Sequence, residues 1–194
     1  MKVILASQSP RRRELLRRVW AEFEVVPSGV DETLEPGPLA SAVTGLALRK
    51  AEAVARRVGQ GVVVAADTVV VIDDVVLGKP TGPDEAKAML VRLRGRQHEV
   101  LTGVGLVDAA SGRAVATAVM SRVLMADYSE ATIEEYVASG SPLDKAGAYA
   151  IQDLQGALVD AVAGSYTNVV GLPVEATRRL LGGFGLPVSE RTEA

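Results

Sequence analysis

The sequence contains no cysteine, which excludes disulfide bonds, thiol nucleophiles and cysteine-ligated metal sites. It has a single histidine, His98, so a histidine-rich metal cluster is excluded as well. The apolar run "VILA" at residues 3–6 is too short for a signal peptide or a membrane span, and we expect a cytoplasmic protein. Any hydrolytic chemistry must therefore use carboxylates, hydroxyls, lysine and arginine, with or without an oxygen-bound metal.

A strong excess of one charge is also absent, since 21 basic side chains face 24 acidic ones, a net charge of −3. General nucleic-acid binders normally carry a basic excess, so this balance argues against nucleic acid as a partner. Hydrophobic residues make up 48% of the 194 residues, which is enough for a sizeable core. The disorder signature of low hydrophobicity with high net charge is missing.

Apolar periodicity predicts helices mixed with strands. Helices are predicted at 14–24, 39–58, 83–94, 130–139 and 173–181, and strands at 3–6, 23–28, 62–72 and 157–164, with a long hairpin of 98–109 and 114–126. Asp73-Asp74 is predicted to turn the 62–72 strand into the segment "VVLGKP", residues 75–80. We therefore expect an α/β fold with a mixed twisted sheet and flanking helices. No linker separates two independent domains, and we expect the tail from about residue 187 to be frayed.

Two charged residues stand where the pattern calls for apolar ones. Asp67 lies inside the longest apolar run, "VVVAADTVVVI", where a carboxylate must be paired, bind a metal or face a cleft. The alternative is a strand-end aspartate bonded to backbone. Lys50 lies in the centre of the apolar face of the 39–58 helix. It is either a snorkelling stem or a cation turned inward toward an anion.

The stretch "LASQSPRRRELL", residues 5–16, places three arginines at the mouth of a helix. Ser9 suits an N-cap and Pro10 suits the first helical position. Cations are mildly unfavourable at the N-terminus of a helix. The three arginines are favourable there if an anion binds among them, the hydroxyls of Ser7 and Ser9 and the free backbone N–H groups of the first turn. The alternatives are a solvated basic turn and a groove-binding arm, which would need a flexible segment.

Two further lysines give weaker signals. Lys79, in "LGKP", precedes a proline that favours extended backbone, but no P-loop motif surrounds it. Lys145, in "DKAGAY", has the alternative of an ordinary loop lysine. The segment "GSYTNVVGLP", residues 164–173, indicates a loop with close backbone approach. Together, the cations, hydroxyls and acids are typical of a polyphosphate site with a divalent metal.

Five segments together resemble the Maf family of nucleoside triphosphate pyrophosphatases. In chain order they are "LASQSPRRRELL", "AADTVV", "LGKP", "PLDKAGAYAIQ" and "AGSYTNVVGLP", which span residues 5–173. The resemblance implies one domain over residues 1–194, with an α/β fold similar to inosine triphosphate pyrophosphatases and two lobes around a cleft. It also implies hydrolysis of a nucleoside triphosphate to the monophosphate and pyrophosphate with Mg²⁺ or Mn²⁺, in a protein that is often a homodimer.

The same resemblance suggests roles for individual residues. The aspartate of "ADT", Asp67, is the proton acceptor, and it is the residue that we expect to bind the metal. Substrate choice falls on Arg11, Thr68 and Gln152. Phosphate binding is expected from Ser7, Ser9, Arg12, Lys50 and Lys79, with Glu32 and Lys145 as further candidates.

The substrate is the least constrained part of this interpretation. The motif "DKAGAYAIQ" resembles the branch that prefers dTTP and UTP, and modified pyrimidine triphosphates are included in that expectation. The alternatives are another nucleotide such as 7-methyl-GTP, and a nucleotide-binding regulator without turnover. The intact "ADT" motif argues against the regulator, which would not need Asp67.

Two positions depart from the family pattern. Gln8 stands between the two serines where glycine is usual, and Asp153 follows "AIQ" where glycine is common. A longer side chain at position 8 crowds a phosphate ligand unless it points outward. Neither position carries an assigned chemical role, so the departures bear on substrate preference and not on reaction class.

Overall fold

The computed structural model describes residues 2–188, which form a seven-stranded mixed sheet and flanking helices. The strands are β1 (Val3–Leu5), β2 (Glu24–Val25), β3 (Val62–Ile72), β4 (Val75–Leu77), β5 (Gln97–Asp108), β6 (Ala114–Met125) and β7 (Val159–Ala163). The helices are α1 (Pro10–Arg17), α2 (Leu39–Val58), α3 (Pro83–Leu93), α4 (Glu130–Ala138), α5 (Tyr166–Val170) and α6 (Val174–Gly183). Short 3₁₀ turns lie at Ser141–Asp144, Ala146–Ala148 and Asp153–Gly156.

The sheet has the strand order β2-β1-β3-β5-β6-β7, with β4 paired to β3. Strand β1 runs parallel to both β2 and β3, whereas β3 with β4 and β6 with β7 are antiparallel pairs. Strands β5 and β6 are hydrogen-bonded neighbours joined by a short turn at Ser111-Gly112. The predicted mixed α/β sheet and the long hairpin are therefore confirmed.

The described residues divide into two compact units. The first contains residues 2–67, 102–119 and 171–188, and the second contains 68–101 and 120–170. The tail that we expected to fray lies mostly in residues 189–194, outside the described residues. None of the helices within 2–188 is long and apolar enough to cross a bilayer.

In the first unit, α2 begins and ends at the predicted residues and packs its apolar stripe onto the sheet. Ala51 and Val54 lie in one core cluster with Ile4 and Val63. Gly59 ends the helix in the left-handed conformation, at φ 69°, which glycine adopts without strain. Helix α2 is thus fixed against the strands that lead to Asp67.

The helix predicted at 14–24 is wrong in its bounds. Helix α1 begins at Pro10, with Ser9 as its N-cap, and ends at Arg17. It ends early because the chain must return to the sheet, where Glu24 pairs in parallel register with Ile4. The predicted N-cap and first helical residue are confirmed.

Two connecting segments, the one between β3 and β4 and the one before α6, compare differently with their predictions. Asp73 and Asp74, at φ 51° and 59°, turn β3 into β4 as predicted. The segment 164–173 was predicted as a loop, but it contains the short helix α5. Pro173 is the N-cap of α6 and not its first residue, so that prediction is one residue off.

His98 lies in the core of the second unit with no assigned chemistry. It is 2% exposed, its Nε2 is 2.7 Å from the Tyr149 hydroxyl, and its Nδ1 has no hydrogen-bond partner within residues 2–188. Burial lowers the pKa of His98 to about 4. The native state therefore holds a neutral imidazole.

We predict that this histidine destabilises the fold in mild acid. Because its folded-state pKa lies below the unfolded value of 6.5, the unfolded chain binds the extra proton between pH 6.5 and 4. Stability should fall by about 2 kcal/mol between pH 7 and pH 5 from this residue alone. Urea denaturation at both pH values measures the fall, and His98→Asn should reduce it. An equal fall in that variant contradicts the prediction.

Candidate functional site

The chemical centre of the first unit is a buried lysine between two carboxylates. Lys50 Nζ lies 2.7 Å from Asp67 Oδ1 and 2.7 Å from Glu32 Oε1. The Lys50 side chain is 4% exposed and that of Asp67 is 12% exposed, whereas that of Glu32 is 52% exposed. Asp67 and Lys50 each stand where the sequence pattern calls for an apolar residue. In the structure they form an ion pair with each other, so each buried charge has a partner.

Three different segments position this cluster. Asp67 follows five buried residues of β3, which fix the strand in the sheet. Lys50 belongs to the buried face of α2, so its stem packs with core residues and its ammonium group reaches the strand. Glu32 comes from the irregular segment before α2. The cluster is thus buried on the side of β3 and α2 and open at Glu32.

Arg12 lies beside this cluster. Burial lowers the pKa of the Arg12 guanidinium. The negative charges of Asp67 and Glu32 raise that pKa in part, and the positive charge of Arg11 lowers it further. Arg12 Nε also donates to the backbone oxygen of Gly171 at 2.9 Å. The sequence offered no sign of this carbonyl partner, because a backbone acceptor has no residue-type signature.

The two serines of the loop before α1 are engaged with backbone. Ser7 Oγ accepts from the Ser9 backbone N–H at 3.2 Å, and Ser9 Oγ accepts from the Arg12 backbone N–H at 3.4 Å. Each hydroxyl keeps a proton to donate to an anion. Gln8 between them is exposed. The loop therefore keeps its N-cap geometry with glutamine in the place of glycine.

The donor set around Asp67 can suit a hard cation. Among residues 2–188, no three acidic or histidine side chains converge in a metal-binding group. Two carboxylates, those of Asp67 and Glu32, do meet at one Lys50 nitrogen. Mg²⁺ in phosphate-transfer sites is commonly held by one or two carboxylates together with substrate phosphates, so these oxygens fit that ion.

Three of the predicted site residues, Thr68, Lys79 and Gln152, belong to the second unit. Thr68, the residue after Asp67, is half-buried, and Lys79 is exposed in the segment after β4. Gln152 is exposed just before the 3₁₀ turn Asp153–Gly156. The side chains of Arg11 and Ser9, in contrast, belong to the first unit and are half-buried.

Lys145 is not an ordinary exposed loop lysine. It is 7% exposed, its Nζ lies 2.7 Å from Asp144 Oδ1 and 3.7 Å from Asp153 Oδ2, and it also contacts Ser141. Asp153 is one of the two positions where the sequence departs from the family pattern. Its carboxylate instead belongs to the polar network of Lys145, which no spacing in the sequence indicates.

The chain is similar in sequence to known proteins over most of its length. A family model described as "Maf-like protein" matches residues 2–184. A dTTP/UTP pyrophosphatase of Desulforamulus reducens is 46% identical over 187 residues, which are 96% of this chain and 98% of the relative. A dTTP/UTP pyrophosphatase of Anaeromyxobacter sp. is 48% identical over 191 residues, which are 96% and 91% of the two chains.

A solved structure supports the fold independently of close sequence similarity. The Staphylococcus aureus Ham1 protein aligns with 95% of this chain and 100% of its own, with a TM-score of 0.55 at 12% identity. At that identity the likeness concerns the fold alone. The family model covers nearly the whole chain, and the resemblance predicted from the five motifs is confirmed: this chain belongs to the family of Maf-like proteins.

Proposed function

We propose that this protein is a nucleoside triphosphate pyrophosphatase that hydrolyses dTTP and UTP to the monophosphate and pyrophosphate. The observation that carries the proposal is the buried contact of Lys50 with Asp67 and Glu32, beside Arg12. Cations next to ordered carboxylates are what a polyphosphate hydrolase needs. The choice of dTTP and UTP is supported by relatives of that name at 46% and 48% identity over 96% of the chain.

Asp67 is the proposed proton acceptor. Its carboxylate takes a proton from a water molecule while the water oxygen forms a bond to phosphorus. The bond from that phosphorus to the bridging oxygen breaks, and pyrophosphate leaves with the electron pair. The contact with Lys50 Nζ at 2.7 Å holds Oδ1 of the Asp67 carboxylate, and Oδ2 is the oxygen proposed to take the proton.

The cationic groups are proposed to hold the triphosphate and to stabilise the charge that develops on the leaving pyrophosphate. Arg12, anchored on the Gly171 carbonyl, and the N-terminus of α1 supply fixed donors in the first unit. Ser7 and Ser9 add hydroxyl donors. Lys79 in the second unit is proposed for the same role on the strength of the "LGKP" motif.

A divalent cation, Mg²⁺ or Mn²⁺, is part of the proposal. Asp67 and Glu32 are the residues that would hold it, because their oxygens meet at Lys50 and suit a hard ion. When bound, such a cation neutralises phosphate charge and polarises the phosphoryl group. Glu32 is well placed to exchange its contact with Lys50 for this role, because its side chain is 52% exposed.

Substrate choice is assigned to Arg11, Thr68 and Gln152. The assignment is supported by the matching motif positions, and Gln152 is exposed in the "AIQ" segment. An amide presents both a donor and an acceptor, which is the pattern that the edge of a pyrimidine ring requires. A site built around such hydrogen bonds discriminates more strongly than an apolar pocket does.

The test is a panel of canonical and modified triphosphates with Mg²⁺, in which released pyrophosphate is measured against released phosphate. We expect pyrophosphate from dTTP and UTP, with a lower kcat/KM for the purine triphosphates and 7-methyl-GTP. Release of phosphate alone overturns the reaction. Binding without any turnover favours the regulator instead.

Gln152→Ala provides the specificity prediction. We expect the ratio of kcat/KM for dTTP over dGTP to fall by about tenfold or more, because the amide contacts with the base are lost. Gln97→Ala is a matched control, since Gln97 is an exposed glutamine at the start of β5 in the same unit. An unchanged ratio in Gln152→Ala removes this residue from the specificity set.

A further inference from the structure

The Gln152 segment is anchored on both sides by one tyrosine. The Tyr136 hydroxyl accepts a hydrogen bond from the Ala150 backbone N–H at 3.3 Å and donates one to Asp153 Oδ2. Within the segment, the Asp153 backbone N–H donates to the Ala150 carbonyl at 3.0 Å. Gln152 therefore lies between two residues that meet at the same phenol oxygen. We name this arrangement of Tyr136, Ala150 and Asp153 the tyrosine clamp.

Two further groups hold the Asp153 carboxylate. Ser141 Oγ donates to Asp153 Oδ2 at 2.8 Å, and Lys145 Nζ lies 3.7 Å from the same oxygen. The Asp153 side chain is 25% exposed and that of Lys145 is 7% exposed, so this is a partly buried, charge-assisted network and not a surface ion pair. Asp153 Oδ2 thus accepts two hydrogen bonds, from Tyr136 in α4 and from Ser141 in the turn that follows it, and the Lys145 ammonium lies close by as an ion-pair partner.

The backbone after Asp153 shows why such an anchor is needed. Leu154 and Gln155 have φ values of 49° and 56°, in the left-handed region that non-glycine residues rarely adopt. Residues held there persist only where the surroundings over-determine them, and they concentrate at ligand sites. Leu154 is also 40% exposed, so its own side chain supplies little packing to hold the turn.

The tyrosine itself is a rigid support. Tyr136 is 2% exposed and belongs to the core cluster that also contains Leu90 and Ile133. Burial raises the pKa of Tyr136, and the hydrogen bond to Asp153 raises it further, so the phenol keeps its proton and remains a donor. The clamp therefore connects an exposed turn to a side chain of α4 that is buried in the core.

We infer that Asp153 is a positioning residue for nucleobase choice: through the tyrosine clamp it fixes the exposed turn that presents Gln152. The inference rests on the proposed function, because Gln152 is there assigned to substrate choice. It explains what a carboxylate contributes at a position where the family commonly has glycine. Directly after Asp153 this chain has leucine and glutamine in the left-handed conformation, and the Asp153 carboxylate ties that turn to Tyr136 and Ser141.

The first arm of the test measures specificity. Asp153→Ala removes the acceptor, and Tyr136→Phe keeps the ring and removes the hydroxyl. In both variants we expect KM for dTTP to rise with kcat retained, and the dTTP over dGTP ratio to fall by about tenfold, toward the value of Gln152→Ala. The double variant should be no worse than either single one, because both act on one contact. Asp160→Ala, an exposed aspartate of β7 in the same unit, is the control.

The second arm is independent of catalysis. Hydrogen exchange of the peptide that covers residues 150–157 should quicken in Asp153→Ala and Tyr136→Phe, and not in Asp160→Ala. Unchanged exchange overturns the clamp whatever the kinetics show. Quickened exchange with an unchanged substrate ratio, while Gln152→Ala shifts that ratio, overturns the positioning role. If wild type releases no pyrophosphate from dTTP or UTP, the proposed function fails, and the exchange data still decide whether Asp153 orders the turn.

Discussion

Asp67→Asn is expected to fold normally and to lose hydrolysis of dTTP by at least about 10²–10⁴-fold in kcat. The amide has the shape of the carboxylate, and its oxygen can still accept from Lys50 Nζ, which lies 2.7 Å from Asp67 Oδ1 in wild type. It cannot take a proton from water. Lys50 also keeps its contact with Glu32, so the buried cation retains one carboxylate partner. Released pyrophosphate, measured at saturating dTTP and Mg²⁺, gives the loss.

The control for Asp67→Asn should replace a carboxylate outside the site with an amide, at a position where the backbone conformation suits asparagine. Asp74 suits this purpose: it is exposed in the β3–β4 turn at φ 59°, a conformation that asparagine tolerates well. Asp74→Asn should retain wild-type turnover. Thermal unfolding of both variants should confirm that the fold is intact. Wild-type-like turnover by a folded Asp67→Asn protein would refute the assignment of the proton acceptor.

The elements that the sequence predicted best are those with the strongest period or composition. Helix α2 and strand β3 match their predicted bounds, 39–58 and 62–72, to the residue. A stripe of apolar residues at helical spacing ends at a glycine in the first case, and β-branched residues dominate both ends of the strand in the second. Both elements also supply the candidate site, through Lys50 and Asp67.

The errors arise where tertiary contacts decide the local structure. Helix α1 stops at Arg17, although apolar spacing continues to Phe23, because the parallel pairing of β2 with β1 draws the chain back to the sheet. Helix α5 is five residues long, too short for any period to be visible, and its glycine-rich flanks favoured a loop. Neither outcome can be derived from the windows of sequence concerned.

The site divides in the same way. Asp67 and Lys50 were predictable because each breaks an apolar pattern, and charged residues in such positions need a partner. That they partner each other, 17 residues apart, was not predictable, because a strand and a helix had to be packed first. The network of Asp153 was hidden for another reason: positive φ at Leu154 and Gln155 has no sequence signature in the absence of glycine.

Gly103→Ala is expected to be the most destabilising single-methyl change in the first unit. A Cβ at position 103 would lie 2.5 Å from the backbone carbon and oxygen of Val43 in α2, a distance that real Cβ atoms do not show. Backbone of a buried helix cannot swing aside as a long side chain can, so α2 must move away from β5. Overpacking normally costs 1–3 kcal/mol, and we expect about 3 kcal/mol or more here. The loss should appear as a lower urea midpoint with an unchanged m-value.

Gly45→Ala is the matched control, because it adds the same methyl group to α2 itself. A Cβ at Gly45 meets nothing within 4 Å, and alanine is the better helix former, so this variant should gain about 0.5–1 kcal/mol. Since Lys50 lies seven residues after Val43 in α2, a shifted helix in Gly103→Ala should also misplace the Lys50–Asp67 contact and lower kcat, while Gly45→Ala keeps it. If both variants have the same stability, close packing of α2 on β5 does not position the site.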